Sequence, residues 1–212
     1  MKNQYVAKLN LIVPSDRIHV YFSLLRHGFM VETRVGCSIK TMLCKALGLD
    51  DNYVEDRIKT IFLDAKPVDD ISSACINHGS VLALSGAMPG LAGATLRRGG
   101  QLASFRGSIS CRSDGKKALS QEGHVFVKLF NVLVKDLGPI LLKKGILIKK
   151  VQLEDLFRRM PDDFWRGLKS AYLNDQKISL NIWSEIEFSD IMLLIANQKS
   201  DLKQANDKGE KN

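Results

Sequence analysis

No stretch of this 212-residue chain approaches the roughly 18 consecutive apolar residues that a membrane span requires. The opening MKNQYVAKLN is too polar for the apolar core of a secretory signal, so a cytoplasmic protein with no membrane attachment is expected. Cysteine is scarce. Cys37, Cys44, Cys75 and Cys111 are unevenly spaced and no CxxC pair occurs, which argues against a zinc ribbon and a dithiol redox site and predicts reduced, mostly buried thiols. His19, His27, His78 and His124 are scattered, none with the i, i+4 partner of a helical metal site. There is no GxxxxGK[ST] phosphate cradle, no GxGxxG, no HExxH and no GxSxG. Asp69-Asp70 and Asp162-Asp163 are adjacent carboxylates, read as turn and helix-start residues. No catalytic residue, metal or cofactor is therefore nominated, and a non-enzymatic protein is expected. No internal repeat is legible.

What is present is an ordinary core-forming composition, 45% hydrophobic and 25% charged, with a basic excess of +8. That excess is concentrated. Residues 86–120 hold Arg97, Arg98, Arg106, Arg112, Lys116 and Lys117 against the single acid Asp114. A second cluster, Lys143, Lys144, Lys149, Lys150, Arg158 and Arg159, is offset by Glu154 and Asp155. Basic surface of this kind attracts nucleic acid or another polyanion, and serves equally as a solvated face.

From Ile18 the segment IHVYFSLLRHG reads as extended, turning at His27-Gly28 into a strand over Phe29–Val35, so the two form a hairpin. Ser38 is an N-cap for a helix whose Ile39, Met42, Leu43, Ala46 and Leu47 share one face, with Gly48 as its stop. Arg57 to Asp64 reads as a strand, Asp64-Ala65-Lys66-Pro67 as a turn, Ile71 to Ile76 as a short crossover, and Ser80 to Ser85 as a central strand. The phrases Val35-Gly36-Cys37-Ser38-Ile39, Leu47-Gly48-Leu49, Ile61-Phe62-Leu63-Asp64-Ala65-Lys66-Pro67-Val68 and Gly79-Ser80-Val81-Leu82-Ala83-Leu84, in this order, resemble the ubiquitin-like β-grasp superfamily over residues 18–85. The nearest likeness is to the bacterial sulfur carriers of thiamine and molybdopterin synthesis. The resemblance implies a β-grasp fold for about a third of the chain. It fixes no function, since such domains serve as modifiers, scaffolds and binding modules.

The next stretch sharpens the question. Thr95-Leu96-Arg97-Arg98-Gly99-Gly100 resembles the tail of a ubiquitin-like modifier, yet 112 residues follow it. Glycines at 86, 90, 93, 99, 100 and 107 disfavour helix, and the apolar residues between them predict ordered irregular chain with a strand over Gln101–Ser110. Three readings stand. Arg97, Arg98, Gly99, Gly100 and Arg106 form a binding loop for a protein partner or polyanion, with glycine N–H groups as an anion nest and Arg106 free for bidentate contacts. Alternatively the chain is a modifier or sulfur-carrier precursor cut after Gly100. Or Gly99-Gly100 is a hairpin turn between strands 94–98 and 101–106.

Beyond the predicted linker 113–121, Val125, Phe126, Leu129, Phe130, Leu133 and Leu137 fall on one helical face ending at Gly138-Pro139. Ile140–Leu142 and Ile146–Ile148 flank a Lys-Lys-Gly turn. Helices are expected over Leu153–Met160, from Pro161 to about Asn174 with Phe164 and Trp165 in the core, and from Ser189 or Asp190 through Ile195, with a short strand around Ile178–Ile182. The fold class expected is α+β: an N-terminal ubiquitin-like β-grasp domain with its glycine-rich basic extension (1–112), a mainly helical domain (122–197) and a disordered tail (198–212). The function expected is binding of a protein partner or polyanion through Arg97, Arg98, Gly99, Gly100 and Arg106; nucleic acid is an alternative ligand.

Overall fold

The computed structural model describes residues 6–106, 121–179 and 188–197, so most of the expected linker, Cys111 and the expected tail lie outside the described residues. The chain is mixed α and β. Strand β1, Ala7–Val13, buries Ala7, Leu9, Leu11 and Val13 in alternation. Pro14 then sets the backbone for a 3-10 turn, Ser15–Tyr21, which runs into α1, Phe22–His27. The expected first hairpin strand is thus helical. Tyr21, Leu24 and Leu25 are all buried, a spacing of i, i+3, i+4 that a strand could not place on one side. Gly28, at φ +113°, releases the chain into β2, Phe29–Val35. Helix α2, Ile39–Lys45, starts as expected, with Ser38 Oγ accepting from Thr41 N–H at 3.2 Å. Asp50 caps an unforeseen helix, α3, Asp51–Arg57.

Strands β3, Thr60–Leu63, and β4, Lys66–Pro67, flank a turn at Asp64-Ala65, so the second half of the expected turn is strand, and β5 is Val81–Ser85. Helix α4, Gly90–Leu96, and a 3-10 turn, Ala103–Arg106, replace the expected irregular chain and strand. Further along, β6 is Gln121–Phe130, α5 Val132–Lys144, β7 Ile146–Lys149, α6 Lys150–Arg158, α7 Asp162–Gly167, β8 Ser170–Leu173, β9 Gln176–Ile178 and β10 Asp190–Asn197. Helix α7 begins next to Pro161 as expected, whereas α6 begins at Lys150, ahead of the expected Leu153. The expected helices over 125–137, up to 174 and from 190 are corrected: much of that sequence is strand. Val125, Val127 and Leu129 are buried in alternation, as are Ile191, Leu193 and Ile195. Gly138-Pro139 lies inside α5 rather than ending a helix.

The chain clusters into two compact units. One runs from Gly28 to Asp136; the other combines the chain up to His27 with the chain from Leu137 onward. The expected division into 1–112 and 122–197 is therefore corrected, because β6 belongs with the strands that precede it. In the 28–136 unit the strand order is β4-β3-β5-β6-β2. β6 runs parallel to β5, pairing Val81 with Phe126, and antiparallel to β2, pairing Phe29 with Val127. Its core holds Ile39, Met42, Leu43, Val54, Ile58, Ile61, Leu82, Leu84 and Val127.

The other unit has the order β7-β10-β1-β8-β9. β10 runs parallel to β1 and antiparallel to β7, while β1 and β8 are antiparallel, as are β8 and β9. The two units share one pattern of strand directions. They also share one hydrogen-bond clamp. Asp64 N–H donates to Val81 O (2.9 Å) while Val81 N–H donates to Asp64 Oδ1 (2.7 Å). Asn174 N–H donates to Lys8 O (2.8 Å) while Lys8 N–H donates to Asn174 Oδ1 (2.9 Å). Both turns take positive φ at two successive residues, Asp64-Ala65 and Asn174-Asp175. An internal structural repeat thus exists where the sequence shows none. Aromatic packing supports the second unit: Tyr21 meets Phe164 at 6.0 Å between centroids, and Phe157 meets Trp165 at 5.1 Å.

Candidate functional site

The glycine- and arginine-rich segment belongs to the 28–136 unit. After β5 the chain turns at Pro89 into α4, and Met88 folds back on that helix so closely that a Cβ on Gly93 would lie 2.1 Å from Met88 O. Only glycine fits there. The helix ends at Arg97, whose ψ of 128° is extended. Gly99, at φ +61°, and Gly100 make a turn closed by Gly100 N–H donating to Arg97 O (3.2 Å) and Ala103 N–H donating to Gly100 O (3.0 Å). The turn does not join two strands, so the hairpin reading is corrected.

The three arginines have separate fates. Arg98 N–H donates to Lys59 O at 2.7 Å, and its guanidinium, 10% exposed, donates to Val54 O, Ile58 O and Glu55 Oε2 (3.3, 3.4 and 3.0 Å). It thereby satisfies carbonyls at the C-terminal end of α3, where no helical partner is available. Arg106 is only 2% exposed. Its Nε donates to Thr95 O (2.7 Å), and one terminal nitrogen donates to Asp69 Oδ1 (2.6 Å) and Arg97 O (3.4 Å). The expectation that Arg106 is free for bidentate contacts is overturned: it is a buried tie across its own loop. Arg97 alone of the three is exposed.

The glycine N–H groups are engaged from within as well. Gly99 N–H approaches Asp69 Oδ1 at 3.5 Å, so a carboxylate already stands where an anion would sit. The neighbouring Asp70 carboxyl is held below the usual carboxylate range by the Ser73 hydroxyl and by the backbone N–H groups of Ser72 and Ser73. The pair Asp69-Asp70 was legible only as turn residues; its role as counter-charge to the arginine loop is set by the tertiary fold.

Arg97 lines an open groove of about 730 Å³ with Met88, Pro89, Ala94, Leu102 and the backbone of Gly90, Gly99 and Gly100. Among the described residues no acidic side chain lines it. Leu91 and Phe105 on the same segment are 76% and 79% exposed. A groove with largely apolar walls and one cation that no described carboxylate engages suits a ligand that joins an apolar group to an anionic one.

Among the described residues no other group is set up for chemistry. Burial pushes the Cys37 and Cys44 thiols up, away from the thiolate form that a nucleophile needs. Tyr53, desolvated and donating to Asp136 Oδ2, is pushed up to about 12. Among the described residues no three His, Cys, Asp or Glu side chains come close enough to hold a metal, and no helix is long and apolar enough to cross a membrane. Of the second basic cluster, Lys149 pairs with Asp190 (2.7 Å) and Lys150 with Glu154 (3.4 Å). The chain matches no protein-family model, no curated protein and no solved structure.

Proposed function

We propose that the protein is a non-enzymatic binding module that engages a protein partner through the groove beside Arg97. The observation that carries this reading is the division of labour among the arginines: Arg98 and Arg106 hold the loop, while Arg97 lines a largely apolar groove in which no acid stands among the described residues. The partner it fits presents a carboxylate beside an apolar side chain. A nucleic acid would need a row of free cations along the backbone track, and only one arginine of the described loop is exposed.

The 28–136 unit is read as a β-grasp variant, similar in strand order to the ubiquitin-like superfamily, with its second central strand supplied late in the chain by β6. The order β4-β3-β5-β6-β2 with a parallel central pair supports this. A modifier released by cutting after Gly100 fits poorly, because β6 lies beyond the cut and is paired on both sides.

The test is affinity capture from native lysate with wild-type protein, Arg97→Glu and Leu102→Asp, with and without nuclease. A partner retained after nuclease but lost from both variants is expected. Undiminished capture by Arg97→Glu would remove the groove from consideration, and loss on nuclease treatment would replace the protein partner with nucleic acid.

A further inference from the structure

The unit that lacks the arginine loop has a cleft of its own, about 320 Å³ in volume, where α1 and the preceding turn meet α6. Its floor is apolar: Val20, Leu24, Leu156 and Met160. Polar groups converge on the rim, and most are already engaged. Gln152 Oε1 accepts from Lys149 N–H at 2.9 Å. Asp155 accepts from Arg158, which lies outside the cleft, at 3.1 Å. His27 Nδ1 is 2.8 Å from Ser23 O, which assigns the proton to Nδ1 as donor and leaves Nε2 over.

Arg159 is different. It lines the cleft, is exposed, and among the described residues its guanidinium has no carboxylate or other partner. With Asp155 held by Arg158, a guanidinium that no described carboxylate engages, in a cleft lined by apolar residues, is complementary to a carboxylate on a short hydrocarbon tail. The volume lies at the small end of ligand sites, which limits the tail to a few carbons. We propose that this cleft binds a short-chain monocarboxylate, with the carboxylate on Arg159 and the tail against Leu24, Leu156 and Met160. The site lies in a different unit from Arg97 and does not depend on the binding role given to that groove.

The probes are hexanoate, acetate and hexylammonium, titrated into the full-length protein and followed by calorimetry and by backbone amide shifts. Hexanoate is expected to bind once per chain, with shifts confined to residues 20–27 and 152–160. Acetate should bind at least about tenfold more weakly for want of a tail, and hexylammonium should not bind. Arg159→Gln, an exposed change at the end of α6, should weaken hexanoate about tenfold while leaving the thermal melt unchanged. Leu24→Ala tests the floor, with Met160→Ala as the milder substitution if Leu24→Ala loosens the unit; either should reduce the preference for hexanoate over acetate. Equal binding of acetate and hexanoate, equal binding of hexylammonium, an unaffected Arg159→Gln protein, or shifts centred outside the cleft would each overturn the assignment.

Discussion

Arg106 and Arg97 are nine residues apart and chemically identical, yet their substitutions should behave in opposite ways. Removing the buried Arg106 side chain leaves Thr95 O without that donor, leaves Arg97 O with only the Gly100 N–H, and takes the guanidinium from Asp69. Asp69 is 41% exposed and can be hydrated once its partner is gone, so the loss falls on the buried carbonyl, and Arg106→Ala is expected to lower unfolding stability by about 1–3 kcal/mol. Arg97→Ala removes an exposed side chain and should stay within about 0.5 kcal/mol of wild type. Urea denaturation of the two variants checks this; similar losses for both would contradict the assignment of the loop's anchor. The sequence shows all three arginines but not which one is free. That depends on Asp69 and Glu55, some thirty to forty residues upstream, and no local pattern encodes such a meeting.

Secondary-structure elements were legible where local chemistry decides them. Ser38 caps its helix and Asp64-Ala65 turns the chain, because a hydroxyl at an N-cap and a short polar side chain in a tight turn act on their own neighbours. Reading failed where a short apolar run fits two periods. Val125-Phe126, Leu129-Phe130 and Leu133 satisfy a helical face, yet burial picks Val125, Val127 and Leu129 because β2 and β5 stand on either side. The reverse error befell Tyr21, Leu24 and Leu25, whose helical spacing is hidden in a β-rich composition. The turns also carry a prediction. Ala65 is held at φ +65°, where its Cβ is crowded by the backbone, whereas the matching Asp175, at φ +66°, is of a type that tolerates this conformation better. Ala65→Gly should therefore stabilise the protein by about 0.5–1 kcal/mol, net of glycine's larger unfolded-state entropy. A lower midpoint in thermal or urea unfolding would show that the strain is not there.

At the scale of the whole molecule, the two units repeat one arrangement from differently ordered pieces of chain. In one, β5 and β6 make the parallel central pair; in the other, β1 and β10 do, drawn from opposite ends of the described chain. The clamps at Asp64–Val81 and Asn174–Lys8 make β1 the counterpart of β5, although β1 comes first in sequence and β5 comes after its own hairpin. This reordering explains why no repeat is visible along the sequence, and it bears on Gly100. A chain ending there would keep β2 to β5 but lose β6, whose Val125, Val127 and Leu129 are fully buried between two partners. Each such side chain contributes about 1.5–3 kcal/mol by burial, so losing three removes as much as a small unit's whole margin of stability. Residues 1–100 should show no cooperative unfolding transition, with amides of β2 and β5 exchanging unprotected. A cooperatively folded 1–100 chain would mean that β6 is dispensable, and would return the Gly-Gly end to standing as a processing site.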